Sequence, residues 1–343
     1  TGPTAKRIGT RASKLTAYSP QPVDSRRVAA MVPATVRPMN FDPTRPFLWA
    51  TGRRHGISDR RLRSSEFVRL GYGAYLSAEV ALDALTQART AVLVGGAHAF
   101  ASRHQAARLW GGVVPDTDLL HFSVPAGRSR SDRRDVAAHQ SRRTPVVFRG
   151  VPLTSPTDTF LDLVDDLGLV DLVVLGDSLV RRGRATPEGL VAAAAAEPVS
   201  NRRLAQRAAS LVRAGVDSAM ETRARLLRVL SGLPELETDI RFYDAQGRLT
   251  RRLDAGDRAT RTAVEYDGRH HIQREDQWVA DLGRREGFED DGWRLVTLVS
   301  PDIYRTPGKT VHRLKRIFRA RGMQVGRLSD EWRRHFPDRP GLP

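Results

Sequence analysis

The stretch Arg248–Gly268, RLTRRLDAGDRATRTAVEYDG, decides the fold. Arg258–Arg261 reads as a tight turn between two strands. With the turn there, Asp257 faces Thr262, and the antiparallel register sets Asp254 opposite Glu265 and Arg252 opposite Asp267. Glu265 and Asp267, two residues apart on one strand, share a face. Leu253, Val264 and Tyr266 are expected on the other, core-facing side. Two carboxylates opposed across a ladder, with side-chain bases about 5 Å apart, repel each other. A hard divalent cation, Mg²⁺ or Mn²⁺, offsets that cost because it prefers oxygen ligands and keeps waters for chemistry. Asp254, Glu265 and Asp267 are therefore candidate metal ligands and catalytic residues. In the alternative, Arg252 pairs with Asp267, Arg225 with Glu221, and Asp254 points to solvent.

Working outward, Thr238–Tyr243 alternates as a strand before a turn at Asp244–Gly247. Val216–Leu230 has Met220, Ala224, Leu227 and Leu230 along one helical face. Glu221 lies beside that ridge and offers a further carboxylate. Downstream, a helix from Arg274 to about Glu289 precedes an apolar strand, Trp293–Val299. The order α-β-β-β-α-β predicts an α/β domain over about 210–322, followed by a tail over 323–343. His270 and His271 follow the acidic strand; His271 is a proton shuttle or phosphate contact, or else a surface residue. Arg284 clamps a phosphate or bonds Asp281 three residues away.

Residues 1–40 show no clear periodicity and read as a tail. Residues 46–78 suggest a mixed α+β, winged-helix-like segment. Pro46–His55 forms a helix ended by Gly56, Ser58 caps a second helix through Arg63, and Phe67–Leu76 makes a two-stranded wing. Arg60, Arg61 and Arg63 on the second helix are candidate DNA contacts, unless the segment packs on the rest of the protein. Over 79–197 an α+β region is expected. Its helical pattern from Ala78 to Leu109 is interrupted at Gly95–Gly96. Strands follow at Leu119–Val124, Val136–His139 and Pro145–Val151, then helices through Leu163, over Val170–Val180 and from Thr186. A linker is expected near Glu197–Asn201. His98 and His104, six residues apart, do not share a helical face and read as packing or surface residues.

The 343 residues carry a formal charge of +17, nearly all of it from arginine; lysine stands only at Lys6, Lys14, Lys309 and Lys315. Such an excess favours a polyanionic partner, and arginine suits bidentate phosphate and guanine contacts. The absence of cysteine excludes disulfides, thiolate nucleophiles and cysteine-based zinc sites. No apolar run approaches the roughly 20 residues of a membrane helix. Residues 1–40 lack the apolar stretch of a secretory signal, so a cytoplasmic protein without membrane contact is expected.

Several strings resemble a known family. Ser218-x-x-Glu221, Leu253–Asp254, Val264-Glu265-Tyr266-Asp267-Gly268 with His271, Asp281-x-x-Arg284 and Gly292-Trp293-Arg294 are similar to actinobacterial proteins with an endonuclease-like domain. That domain is related to the very-short-patch-repair (Vsr-type) endonucleases of the PD-(D/E)XK superfamily. The resemblance covers about Val216–Tyr304 and implies Mg²⁺-dependent phosphodiester hydrolysis on DNA. Where the superfamily usually has a lysine, two residues after the glutamate, this chain has Asp267. The departure implies Asp267 as a metal ligand, with His271 or an arginine supplying the cation. Upstream, Gly56-Ile57-Ser58, Arg69 to Leu76 and Gly150 to Pro156 resemble AbiEi-type antitoxins of type IV toxin–antitoxin systems. That likeness implies a DNA-binding regulator with a cognate toxin as partner.

Overall fold

A computed structural model describes residues 41–71, 73–128, 136–268 and 275–337, with the backbone alone described over 275–282. The first described elements are β1 (Phe47–Leu48), α1 (Trp49–Arg54), α2 (Asp59–Leu62), β2 (Phe67–Gly71) and β3 (Ala74–Ser77). The strands form an antiparallel sheet in the order β1-β3-β2. The helix expected from Pro46 starts only at Trp49, because Phe47 and Leu48 pair with Tyr75 and Ala74. Ser58 caps α2, its Oγ accepting the Arg61 N–H at 3.3 Å. Phe47, Ile57 and Leu62 bury against Phe41, Phe67 and Tyr75 as a cluster of their own.

The middle region contains α3 (Ala84–Gly95), β4 (Phe100–Ala101), α4 (Arg103–Trp110), β5 (Leu120–Pro125), β6 (Val136–Ser141), β7 (Val146–Phe148) and β8 (Val151–Leu153). Helices α5 (Pro156–Asp162), α6 (Leu169–Arg181), α7 (Pro187–Ala196) and α8 (Arg202–Leu211) follow. Its sheet has the order β6-β5-β4-β8-β7. The single strand expected over Pro145–Val151 is instead part of a hairpin, with Phe148 opposite Val151. Its two turn residues, Arg149 and Gly150, have φ of 51° and 74°, as a two-residue hairpin loop favours.

The C-terminal part runs α9 (Ala219–Leu230), β9 (Glu237–Tyr243), β10 (Leu249–Asp257), β11 (Thr262–Tyr266), α10 (Glu275–Asp290), β12 (Arg294–Leu298), α11 (Ser300–Tyr304) and α12 (Pro307–Ala320). The sheet is mixed, in the order β12-β11-β10-β9, with β11 and β12 parallel. Both of its faces are covered. Ala255, Val264 and Leu298 join a large core with Leu227 of α9 and Val311 of α12. Leu253 and Ala263 join Ile240, Phe288 of α10 and Trp293 in a second cluster. Leu253 and Val264, expected on a common core face, thus pack into different clusters. A sheet buried on both sides has apolar residues at successive positions, which hides the inward face from a period-two reading.

The large core runs without interruption from Phe160 and Leu175 through Val212 to Leu226 and Phe318, across the loop at 197–201. At its centre Arg225 Nη2 donates to Asp177 Oδ2 at 2.8 Å, with both side chains 2% exposed. Asp177 also accepts from Arg213 N and Thr222 Oγ1. This buried pair ties α6 to α9 and replaces the Arg225–Glu221 contact that helical spacing suggested. Among the described residues, no helix is long and apolar enough to cross a membrane.

Candidate active site

Ladder pairing between β10 and β11 runs through Asp257–Thr262, Gly256–Ala263 and Ala255–Val264. The turn and register are those expected. One step further, the Asp254 side chain replaces backbone pairing: its Oδ2 accepts the Tyr266 N–H at 3.0 Å. Asp254 is therefore held at the point where the two strands leave each other. It lines a pocket of about 20 Å³ together with Glu221, Arg225, Arg228, Val264 and Tyr266. That volume suits about one water or a bare ion.

Glu221 reaches the pocket because Ser218 caps α9, Oγ accepting the Glu221 N–H at 3.1 Å. Glu221 Oε2 in turn accepts the Asp217 N–H at 2.9 Å. This reciprocal capping fixes its carboxylate over the first helical turn. Burial pushes the Asp254 carboxyl up to about 6; the Glu221 and Glu265 charges add to the rise, while the Tyr266 N–H opposes it. The site is thus short of compensating positive charge at Asp254, although two arginines line the same pocket. Arg225 is committed to Asp177. Arg228 is fully buried, and burial followed by the Arg225 charge pulls it down to about 9.

Glu265, 7% exposed on β11, meets a different partner. Arg284 of α10 grips it with Nη1–Oε1 at 2.9 Å and Nη2–Oε2 at 3.4 Å. Sequence reading gave Arg284 to a phosphate or to Asp281; the structure puts it on Glu265. The Asp281 side chain lies outside the described residues, and so does His271. Arg252, expected opposite Asp267, instead bonds Asp239 and Asp217. Asp267 is half-buried and its N–H continues the β11–β12 pairing, donating to Leu298 O at 2.8 Å. Arg60, Arg61 and Arg63 are exposed on and beside α2, and Arg61 is paired with Glu66 at 2.7 Å.

Sequence reasoning missed a second polar centre in the middle region. His104 on α4 and His121 on β5, each 6% exposed, have ring centroids 4.7 Å apart. Among the described residues they form, with Asp166, a group of three ligand-type side chains whose atoms all lie within 4.8 Å of one another. His104 was read as a packing or surface residue because its partners stand 17 and 62 positions away in the chain. Only the tertiary fold brings them together.

The chain is similar to two mycobacterial proteins. Both are uncharacterized proteins of Mycobacterium tuberculosis, from strains CDC 1551 / Oshkosh and H37Rv. Each is 26% identical over 264 residues, covering 75% of this chain and 94% of the relative. No family model matches the chain.

Proposed function

We propose that the protein binds DNA and that its C-terminal domain, of the PD-(D/E)XK type, hydrolyses phosphodiester bonds with Mg²⁺ or Mn²⁺. The supporting observation is the Asp254 carboxyl, displaced to about 6 beside Glu221 and Glu265, where β10 and β11 part. Two carboxylates that repel each other at one small pocket, Asp254 and Glu221, are the kind of oxygen donor a hard divalent cation takes. Asp254 and Glu265 would hold it, with Asp267 at the end of the same strand. The ion supplies Lewis-acid polarisation of the phosphodiester and a lowered pKa for the attacking water. Glu221, fixed by its cap, orients the Asp254 side of the site, and Arg284 competes with the ion for the Glu265 oxygens it holds. The exposed Arg60, Arg61 and Arg63 and the net charge of +17 provide phosphate contacts. The cytoplasm, where such DNA is accessible, is the compartment this reading requires.

The Arg284–Glu265 pair favours a second reading, a DNA-binding regulator or AbiEi-like antitoxin, with a toxin partner, that keeps the fold without the chemistry. An arginine seated on the glutamate neutralises it without metal. Cleavage assays separate the two readings. Linear, nicked, mismatched and single-stranded DNA are incubated with Mg²⁺, Mn²⁺ or EDTA, using wild type, Asp254→Asn and Glu265→Gln. The nuclease reading expects metal-dependent cleavage that both variants abolish. Binding without cleavage of any substrate selects the regulator.

A further inference from the structure

The cluster at His104, His121 and Asp166 has the chemistry of a transition-metal site, independent of the C-terminal carboxylates. Three separate elements build it. His104 sits in the first turn of α4, His121 near the start of β5, and Asp166 just beyond the 3-10 turn Leu163–Asp165 that follows α5. His121 and Asp166 are held by neighbours. Gln105 Oε1 accepts the His121 backbone N–H at 2.7 Å. His121 Nδ1 and His139 Nε2 on β6 share a hydrogen bond of 3.3 Å, with the rings stacked at 13°. Arg103 Nη1 binds Asp166 Oδ1 at 2.8 Å, leaving Oδ2 3.9 Å from His104 Nδ1.

That His104 Nδ1 is the decisive atom. It is buried and has no hydrogen-bond partner. Leaving such a group unsatisfied costs roughly 1–3 kcal/mol, so native interiors rarely do it without a reason. It faces a carboxylate oxygen and a second imidazole, which is the donor set of two nitrogens and one oxygen that divalent zinc takes in sites with an open fourth position. Supporting bonds from a second imidazole and a guanidinium are what ligating histidines and carboxylates commonly have around them. In a tetrahedral site, bonds of about 2.0–2.2 Å place ligand atoms roughly 3.4 Å apart. The three atoms, all within 4.8 Å of one another, need only small side-chain rotations to close on an ion.

We propose that His104, His121 and Asp166 bind a divalent transition metal of the zinc class, which clamps α4 and the turn after α5 onto β5, an inner strand of the middle sheet. Imidazole nitrogen selects such metals over Mg²⁺, so this site and the C-terminal one are chemically distinguishable. The test uses the full-length protein, stripped with a chelator and titrated with Co²⁺ and then Zn²⁺. One Co²⁺ per chain with a visible d–d absorption is expected, bleached when Zn²⁺ displaces it, together with a Zn²⁺-induced rise in Tm that Mg²⁺ does not reproduce. Asp166→Asn, at the more exposed edge of the cluster, should weaken Co²⁺ binding at least about 10–100-fold, the loss seen even when a supporting group is removed. His104→Ala should abolish it, while His98→Ala leaves the absorption unchanged. Circular dichroism checks the fold, and Asp166→Asn keeps the test valid if His104→Ala does not fold. Wild-type protein with neither absorption nor Zn²⁺-induced Tm shift overturns the proposal. So does an absorption that survives Asp166→Asn undiminished.

Discussion

Replacing Asp254 by Asn should stabilise the metal-free protein above neutral pH, which is unusual for a substitution at a half-buried polar residue. The carboxyl titrates near 6 rather than its ordinary 3.8, chiefly through burial and then through Glu221 and Glu265. At about 1.4 kcal/mol per pH unit, its charged form is disfavoured in the folded state by about 3 kcal/mol. Partial solvent access reduces this, so a gain of about 1–3 kcal/mol is expected for Asp254→Asn at pH 7.5. Because the folded pKa is raised, wild type loses stability relative to the variant as pH rises from about 4 to 6. The difference vanishes below the unfolded value and is constant above about 7. The Asn carbonyl can still accept the Tyr266 N–H, so the strand end should be preserved. Urea unfolding of wild type and variant from pH 4 to pH 8 in EDTA measures the effect. A variant that is equally or less stable at every pH would refute the reasoning, since Asp254 would then be satisfied in its charged form.

Three further outcomes follow from the same geometry. Saturating Mg²⁺ or Mn²⁺ should raise the Tm of wild type, about 2.7 kcal/mol at a hundredfold excess over Kd, and leave Asp254→Asn unmoved; equal shifts in differential scanning calorimetry would place the ion elsewhere. Arg284→Gln should lower metal-free stability by about 3 kcal/mol, because it strands a buried carboxylate, and should enlarge the Mg²⁺ response; a smaller response would mean that Arg284 does not compete with the ion. Asp177→Ala should cost about 3–5 kcal/mol in chemical denaturation by leaving the buried Arg225 with only Glu235 Oε1, 3.9 Å away, with 197–201 unfolding in the same transition as the rest; two separate transitions would show that the core is not cooperative across that loop.

The element order of the C-terminal part was legible because turns and caps act locally. Ser218, Ser58, Thr186 and the turn at 258–261 each satisfy backbone groups within a few residues. The sequence could therefore place α9, α2, α7 and the β10–β11 register from Asp257–Thr262 to Ala255–Val264. Partners of long side chains were not legible. Helical spacing matched Arg225 to Glu221 and Arg284 to Asp281, and strand register matched Arg252 to Asp267, yet they bind Asp177, Glu265, and Asp217 with Asp239, residues 48, 19, and 35 with 13 positions away. In a chain so rich in arginine, nearly every carboxylate has several cations within local reach. Burial decides among them, and burial is a property of the whole fold. The same argument explains why His104 was discounted.

Arg284 and a metal ion would compete for the Glu265 oxygens, and this competition separates the nuclease reading proposed above from the regulator reading. With Arg284 seated, the glutamate is neutralised by two charge-assisted hydrogen bonds, and the uncompensated charge of the cluster rests on Asp254. A divalent ion that takes a Glu265 oxygen held by Arg284 would weaken that hydrogen bond, so its binding energy would be reduced by what the pair loses. What the ion gains at Asp254 offsets this, because ligation relieves the repulsion that holds the carboxyl near 6. That gain is bounded by the roughly 1–3 kcal/mol by which the Asp254 charge is disfavoured. On the proposed nuclease reading, the Arg284–Glu265 pair would therefore oppose metal binding at this centre. An Arg284 released from Glu265 would carry its charge on α10 beside the same strand, in the role that the missing lysine two residues after the glutamate leaves open. Activity in the wild type and its loss in Arg284→Gln, despite tighter metal binding, is the combination that this exchange requires.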